Sequence, residues 1–290
     1  SDVYKRQLLT PASSQAQPSI RQQWQASPHA RSLDIPDEEE RMNTPGCARC
    51  HTAQGYQVET LGGNPSGAPY AEVRGLTCLA CHERGAEGSG IGPLRTGGAR
   101  DACRGCHDEL VTNEPDNLSW CSQWGIFEGT GGEEDLAQAF RAAEHTGLES
   151  GCVSCHMASP AEGLDAARVG GHTFRVKTKG ESPVVFNSGP CLDCHATMTL
   201  ERLAASQERT SELLKVLAGL LPQKPVSSDP TSTEPRYPAD TSLNEVQARA
   251  TYNYWLVEKD GSLGVHNPVY TRALLEASIA ELRSTGGASH

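Results

Sequence analysis

One five-residue pattern, two cysteines three positions apart followed at once by a histidine, occurs five times in this 290-residue chain. The copies read CARCH, CLACH, CRGCH, CVSCH and CLDCH, and they use ten of the eleven cysteines. The cysteines are Cys47, Cys50, Cys78, Cys81, Cys103, Cys106, Cys152, Cys155, Cys191 and Cys194. The histidines are His51, His82, His107, His156 and His195. The fold must therefore accommodate the same chemical group at five points along the chain.

This pattern is typical of covalent haem attachment, because two cysteines at this spacing can form thioether bonds to one porphyrin edge from a single helical turn. The histidine that follows then binds the iron as an axial ligand. A single CxxC pair is also compatible with a zinc site or a redox disulfide. Zinc sites do not need a histidine after every pair, however, and iron–sulfur clusters use other spacings. The sequence therefore predicts five haem c groups per chain.

The composition agrees with an interior that side chains alone do not fill. Hydrophobic residues make up 37% of the chain and aromatic residues 5%, whereas glycine and proline supply 29 and 18 positions. A globular chain of this length is usually richer in apolar residues. Five macrocycles would occupy the interior and cover the apolar surface that side chains would otherwise bury.

The charge and hydropathy exclude some functional classes. A formal net charge of −11 argues against nucleic-acid binding through a basic surface and favours partners that are basic or bridged by cations. The longest apolar run, at residues 213–221, contains a lysine and is shorter than the roughly 20 residues that span a bilayer. We therefore expect a soluble chain without a transmembrane segment. No charged-then-apolar leader opens it, so we expect that any export signal has been removed or is not part of this sequence.

The chain divides into four segments by composition and motif content. They are an extended or disordered N-terminal arm (1–28), a haem-binding region with the five motifs and a long helix (29–221), a proline-rich linker (222–241), and a C-terminal helical hairpin with a tail that supplies distal ligands (242–290). Low periodicity and many Gln, Ser and Pro residues indicate the arm. The prolines indicate the semi-rigid linker.

Four helices are expected outside the motifs, at about residues 135–144, 200–221, 242–258 and 267–283. Pro222 ends the second of these. Ser242 and Glu245 have the spacing of a capping box at the start of the third. Asn267 and Pro268 match the N-cap and first position of the fourth. The last two helices are expected to pair as an antiparallel hairpin.

The remaining histidines are candidates for the sixth iron ligands. They are His29, His145, His172, His266 and His290. Five spare histidines for five irons would make every iron six-coordinate, with no open position for a substrate. His290 lies in a flexible-looking GGASH terminus. The iron that it would serve could instead bind a histidine of a neighbouring subunit, a methionine or water.

These alternatives have different consequences. A ligand from a neighbouring subunit would connect haems through a homo-oligomer or filament, whereas water would leave a reactive iron. The methionines are Met42, Met157 and Met198. Met157 directly follows His156 and is better explained by packing than by ligation. The odd cysteine, Cys121, most often corresponds to a buried thiol in such a setting.

The chain resembles the multihaem c-type cytochromes of the group that includes ammonia-forming nitrite reductase, hydroxylamine oxidoreductase and their electron-carrier relatives. The CxxCH series carries the resemblance, together with WQASPHA, EHTGLESGCVSCHM, GGHTFR and LGVHNPVYTRALLEA, over most of residues 24–285. It implies a mainly α-helical fold with extensive loops, organised around five closely packed haems, in an exported periplasmic or extracellular protein. The pentahaem nitrite reductases generally carry CxxCK at the catalytic haem, and here all five motifs end in histidine.

The expected function is therefore electron transfer through mostly bis-histidine haems, either as a carrier between redox partner proteins or as a subunit of an extended conducting assembly. The alternative is a reductase or oxidase of small nitrogen or sulfur oxyanions. That activity would need one haem iron with an open coordination position.

Overall fold

The fold is mainly α-helical with long connecting loops, as expected. The computed structural model describes residues 18–34, 45–56, 74–85, 90–95, 98–108, 123–132, 144–224, 237–238 and 243–286. Their helices are α1 Ile20–Gln25, α2 Pro45–His51, α3 Cys78–Cys81, α4 Ala99–His107, α5 Gln123–Glu128, α6 Cys152–His156, α7 Leu200–Leu220, α8 Glu245–Asp260 and α9 Pro268–Gly286. Across these residues, no helix combines the length and the apolar character that a bilayer crossing requires.

The strands are short and form two separate antiparallel pairs. β1 (His82–Arg84) pairs with β2 (Ile91–Leu94), and β3 (Gln223–Lys224) pairs with β4 (Tyr237–Pro238). The second pair joins the two ends of the segment that the sequence predicts to be a linker. Backbone hydrogen bonds across this pair thus bring the ends of the proline-rich segment together.

The side-chain core lies in the three long helices α7, α8 and α9, with one contribution from α5. Its fully buried members include Leu217, Leu256, Tyr270, Leu274 and Ile126. Burial of a side chain of this size stabilises the fold by about 1.5–3 kcal/mol. Most of the buried apolar residues of the described chain belong to this three-helix core. The motif region contributes few, in agreement with the lean composition.

The ends of the long helices follow from local chemistry. Thr199 caps α7 by accepting a hydrogen bond from the backbone N–H of Arg202. α8 is capped by Asn244, whereas the sequence suggests Ser242, which lies outside the described residues. Asn267 caps α9 as predicted, since its Oδ1 accepts the N–H of Tyr270 at 3.1 Å. α8 contacts α9, and residues 261–267 form the turn between them.

The predicted N-terminal arm needs a correction within its described part. Residues 20–25 form α1, because Ser19 and Gln22 make a capping box that satisfies the first backbone N–H groups. The composition of Gln, Ser and Pro residues predicts disorder here, but the capping box is a local helix signal within the same segment. Residues 1–17, most of the helix expected at 135–144, Cys121 and His290 lie outside the described residues.

Candidate haem-binding sites

Four motif histidines each face one of the spare histidines. The four pairs are His107 with His29, His82 with His172, His195 with His145, and His156 with His266. The ring centroids of each pair lie 6.0 to 6.3 Å apart. Each pair thus joins one histidine that follows a CxxC with one distant in sequence.

This separation can be compared with the space that an iron ion needs between two imidazoles. A bond from a metal to an imidazole nitrogen is about 2 Å long, and that nitrogen lies about 1 Å from the ring centre. Two rings on opposite sides of one metal ion therefore have centroids about 6 Å apart. The four pairs fit this requirement, with the cysteines of one motif beside each pair.

Hydrogen bonds determine the tautomer of four motif histidines. Each donates its Nδ1 hydrogen to an oxygen atom that can only accept, so the lone pair is on Nε2, the nitrogen that binds haem iron. The acceptors are Ser32 O for His51 (2.8 Å), Gly92 O for His82 (3.0 Å), Gln123 Oε1 for His107 (3.1 Å) and Phe174 O for His156 (2.9 Å). These rings are therefore oriented for ligation by the protein itself.

Two spare histidines are held in the same way. His145 donates its Nδ1 hydrogen to the carbonyl oxygen of Val265 at 3.0 Å, across 120 positions of sequence. His266 contacts a carboxylate, with 2.5 Å between its Nδ1 and Asp260 Oδ1. Both contacts involve the turn between α8 and α9, so this turn arranges two of the four pairs.

α1 positions a third spare histidine. Oε1 of Gln23 accepts the backbone N–H of His172 at 3.0 Å. A Cβ atom on the neighbouring Gly171 would lie 2.3 Å from the same oxygen, and Gly171 has a φ of +50°. The positive φ and this close approach together favour glycine at position 171.

Phe174 contacts ligand candidates of three different pairs. Its ring packs edge-on against that of His29, with centroids 4.5 Å apart, and lies 6.0 Å from that of His172. Its carbonyl oxygen accepts the hydrogen bond from His156. Its φ of 56° is left-handed, a costly conformation for a bulky residue that is typical of functional sites. The strained backbone thus aims one carbonyl and one ring at neighbouring pairs.

The buried imidazoles are held mainly in the neutral form that binds metal. Burial lowers the pKa of His29 to about 4, with a smaller contribution from positive charge on His107 and His156. Burial also lowers the pKa of His107 and of His156. His266 differs, because burial opposes its charge but Asp260 outweighs burial and raises its pKa.

The motifs themselves lie next to one another. α4, which carries the third motif, contacts α6, which carries the fourth. The Cys50 sulfur lies 4.0 Å from the carbonyl oxygen of Cys106, which joins the first motif to the third. α6, which carries the fourth motif, contacts the 3₁₀ turn Gly189–Cys191 of the fifth. Groups attached at these cysteines would therefore be neighbours.

His51 and His290 are the two histidines that the four pairs leave over. The ring of His51 is oriented through Ser32 like those of the other motif histidines. His290 lies outside the described residues, so its role as a distal ligand stays a prediction. The methionine alternatives also stay predictions.

Several residues that the sequence analysis did not select contribute to these sites. Gln123, Asp260 and Phe174 contact ring nitrogens of the pairs. Gln123 and Phe174 lie 16 and 18 positions from the motif histidines they contact, so their roles depend on tertiary contacts. Asp260 lies six positions before His266, so its role depends on the conformation of the turn.

Two solved structures are similar to this chain, both of them cytochromes. One is the undecaheme cytochrome from the S-layer of Carboxydothermus ferrireducens, with a TM-score of 0.55 and 17% identity. The other is the outer cell wall cytochrome OcwA, with a TM-score of 0.58 and 20% identity. The likeness covers 91% and 96% of this chain respectively. The fold is that of the multihaem cytochromes.

The chain spans 40% of the length of the undecaheme cytochrome and 54% of that of OcwA. No protein-family model matches the sequence, and no curated protein matches it.

Proposed function

We propose that this chain transfers electrons through five haem c groups. The haems would be attached at the ten motif cysteines, with the motif histidines as proximal ligands. His29, His145, His172 and His266 would be the distal ligands of four of them. The pairing of these histidines at 6.0 to 6.3 Å carries the proposal. The haem iron supplies the one-electron chemistry, and the protein supplies ligation, spacing and the tuning of potential.

The adjacency of the motifs supports passage of electrons within the chain. The first, third, fourth and fifth motifs form a contiguous series through the contact of Cys50 with Cys106 and the contacts of α6 with α4 and with the turn Gly189–Cys191. A protein that needed haem for stability alone would not require such a series. Electron entry and exit would then take place at different ends of it, through redox partner proteins.

The proposed location is outside the cytoplasm, in the periplasm or beyond the cell surface. The two similar structures are described as an S-layer and an outer cell wall cytochrome. Covalent haem attachment by paired cysteines is compatible with an export-dependent protein. The resemblance to the group of nitrite reductase and hydroxylamine oxidoreductase points the same way.

The haem count tests the proposal directly. The purified protein should show five haems per chain by pyridine haemochrome absorbance and a mass increased by five macrocycles. Replacing both cysteines of the fourth motif, Cys152 and Cys155, with alanine should remove one haem and leave four. A colourless protein, or a mass without added porphyrin, would refute the proposal.

A second candidate function depends on the iron at His51. If His290 does not bind it, a small oxyanion of nitrogen or sulfur could occupy its sixth position, and the chain would act as a reductase or oxidase. The observation that favours this candidate is that the other four spare histidines already have partners.

Spectroscopy of the wild type and of His290→Ala separates the two functions. If His290 is a ligand, all five haems are low-spin in the wild type, and the variant gains about one high-spin haem in five. If the wild type already has that high-spin fraction and binds nitrite or cyanide, the reductase or oxidase function is favoured.

The same variant tests a homo-oligomer or filament joined by haem ligation. If His290 binds the His51 haem of a neighbouring subunit, His290→Ala should also shift the size distribution in solution. An unchanged distribution would exclude an assembly held by this bond.

A further inference from the structure

The turn between α8 and α9 contacts ligand candidates of three different haems. Asp260, the last residue of α8 before the turn, accepts from Nδ1 of His266, and Val265 in the turn accepts from Nδ1 of His145. Gln123 joins the same turn to His107, since its Oε1 accepts from the ring while its Nε2 donates to the Asp260 carbonyl at 3.3 Å. This turn is thus a common support for three of the four histidine pairs.

Among the six histidines whose Nδ1 contacts are defined, His266 has a carboxylate as its partner. His51, His82, His107, His145 and His156 contact neutral carbonyl or amide oxygens. The difference matters because a charged acceptor withdraws the Nδ1 hydrogen more strongly and makes the imidazole a more basic ligand. One haem of the set is therefore treated differently by the protein.

The Asp260 side chain is fully buried, with 0% of its surface exposed. A buried carboxylate is costly unless donors surround it. Three donors do so: Nδ1 of His266 at 2.5 Å, the backbone N–H of Ser262 at 3.2 Å, and the Ser262 hydroxyl. The site is built to keep a negative charge next to one ligand ring, away from solvent screening.

We propose that Asp260 is a positioning residue that lowers the reduction potential of the haem held by His156 and His266 relative to its neighbours. This inference rests on the proposed function. A buried negative charge and a more basic axial ligand both stabilise the ferric state over the ferrous state. The haem at His107 and His29, which is joined to the same turn through a neutral amide, lacks this effect.

The position of this haem within the series gives its lower reduction potential a functional consequence. The fourth motif lies between the third and the fifth in the contiguous series. A haem of lower potential at that point acts as a barrier that electrons cross between two sites of higher potential. The turn would thereby determine how freely electrons pass along the series.

The test is a redox titration of the five-haem protein and of Asp260→Asn. Asparagine keeps the shape and an acceptor oxygen but removes the charge. We expect one of five midpoint potentials to rise, with all haems still low-spin and the haem count unchanged. Asp165→Asn is the matched control, because Asp165 is exposed and accepts from the backbone N–H of Ala167 at 2.9 Å. It should move none of the five potentials.

A double-mutant cycle separates the hydrogen bond from the charge alone. Methionine can bind iron but has no Nδ1, so Asp260→Asn should shift the potential less in a His266→Met background than in the wild type. Equal shifts in both backgrounds would overturn the positioning role. If Asp260→Asn does not fold, Ser262→Ala takes its place. Removing that donor leaves more charge on the carboxylate, so one potential should fall.

Failure of this inference differs from failure of the proposed function. Five low-spin haems with unchanged potentials in Asp260→Asn would overturn the role of Asp260 and leave electron transfer intact. Fewer than five haems in the wild type would overturn the proposed function first.

Discussion

A histidine that donates its Nδ1 hydrogen to a carbonyl oxygen has a defined tautomer and a defined ring orientation before iron binds. His82, His107 and His156 are held this way in the chain. Folding therefore orders these rings before iron binds and removes an entropic cost of ligation, because the acceptors belong to the backbone or to the half-buried Gln123 side chain. Single residues thus account for the geometry of each pair.

One prediction at this scale concerns His172, the candidate partner of His82. His172→Ala should convert about one haem in five from low-spin to high-spin, since a single sixth ligand is lost. His172→Met should restore six-coordination and raise the potential of that haem, because methionine stabilises ferrous iron. Electron paramagnetic resonance and redox titration measure both effects. A low-spin spectrum in the alanine variant would contradict the assignment.

A second prediction concerns the stability of the protein at acidic pH. The pKa of His29 is lowered to about 4 by burial, whereas an unfolded histidine has a pKa of about 6.5. Between these values the unfolded chain binds more protons, so the free energy of unfolding should fall as the pH decreases from 6.5 to 4. The loss from this group is on the order of 3 kcal/mol. Iron ligation acts in the same direction, since it also requires the neutral ring.

Thermal unfolding at a series of pH values measures this loss. His29→Met keeps a ligand but removes the titrating group, so its stability should depend less on pH over the same interval. An equal dependence in both proteins would show that other groups cause the acid sensitivity.

Among the elements, the three long helices and the five motifs have separate tasks. α7, α8 and α9 contain the side-chain core, and the turn between α8 and α9 carries His266 to the motif region. Gly264 in this turn has a φ of +86°, and a Cβ there would lie 2.7 Å from Thr210 Oγ1 of α7. The turn is therefore pressed against the bundle, which makes its position depend on the packing of the helices.

The prediction at the scale of elements compares two neighbouring residues of α7. Leu217 is fully buried, whereas Val216 is 40% exposed. Leu217→Ala should lower the free energy of unfolding by about 2–5 kcal/mol, because it leaves a cavity in the core. Val216→Ala should change it by about 0.5 kcal/mol or less. Urea unfolding followed by far-ultraviolet circular dichroism gives both values, and equal effects would contradict the described core.

For the whole molecule, the dominant property is negative charge. The polypeptide carries −11, and the propionates of attached haems would add to it. Association with charged partners is steered by such a field and is screened by salt over about 10 Å at 0.1 M. The negative charge of the chain therefore favours association with positively charged partners.

The corresponding prediction concerns electron exchange with small metal complexes. Reaction with a cationic complex should slow as ionic strength rises, and reaction with an anionic complex of similar potential should accelerate. Stopped-flow absorbance at two salt concentrations measures both rates, and a neutral complex serves as the control. If the cationic complex instead reacted faster and the anionic complex more slowly as ionic strength rises, the reactive haem edges would lie beneath positively charged surface.

Much of the architecture can be inferred from local sequence. α7 and the α8–α9 hairpin match their predicted positions, because apolar periodicity, Pro222 and the Asn267 cap act within a few residues. The prediction of haem attachment is local for the same reason, since each motif contains both cysteines and a ligand within five residues. The α1 helix differs from the predicted arm, because residues 1–28 have the composition of a disordered segment although a capping box starts the helix.

The pairing of histidines could not be inferred, because it joins residues that are distant along the chain. His145 is held by a carbonyl 120 positions away, and Gln23 contacts the backbone of His172 across 149 positions. The contact between Asp260 and His266, by contrast, spans only six positions and depends on the conformation of the turn itself. Spacing within a motif thus predicts the cofactor chemistry, whereas long-range packing decides which histidines meet.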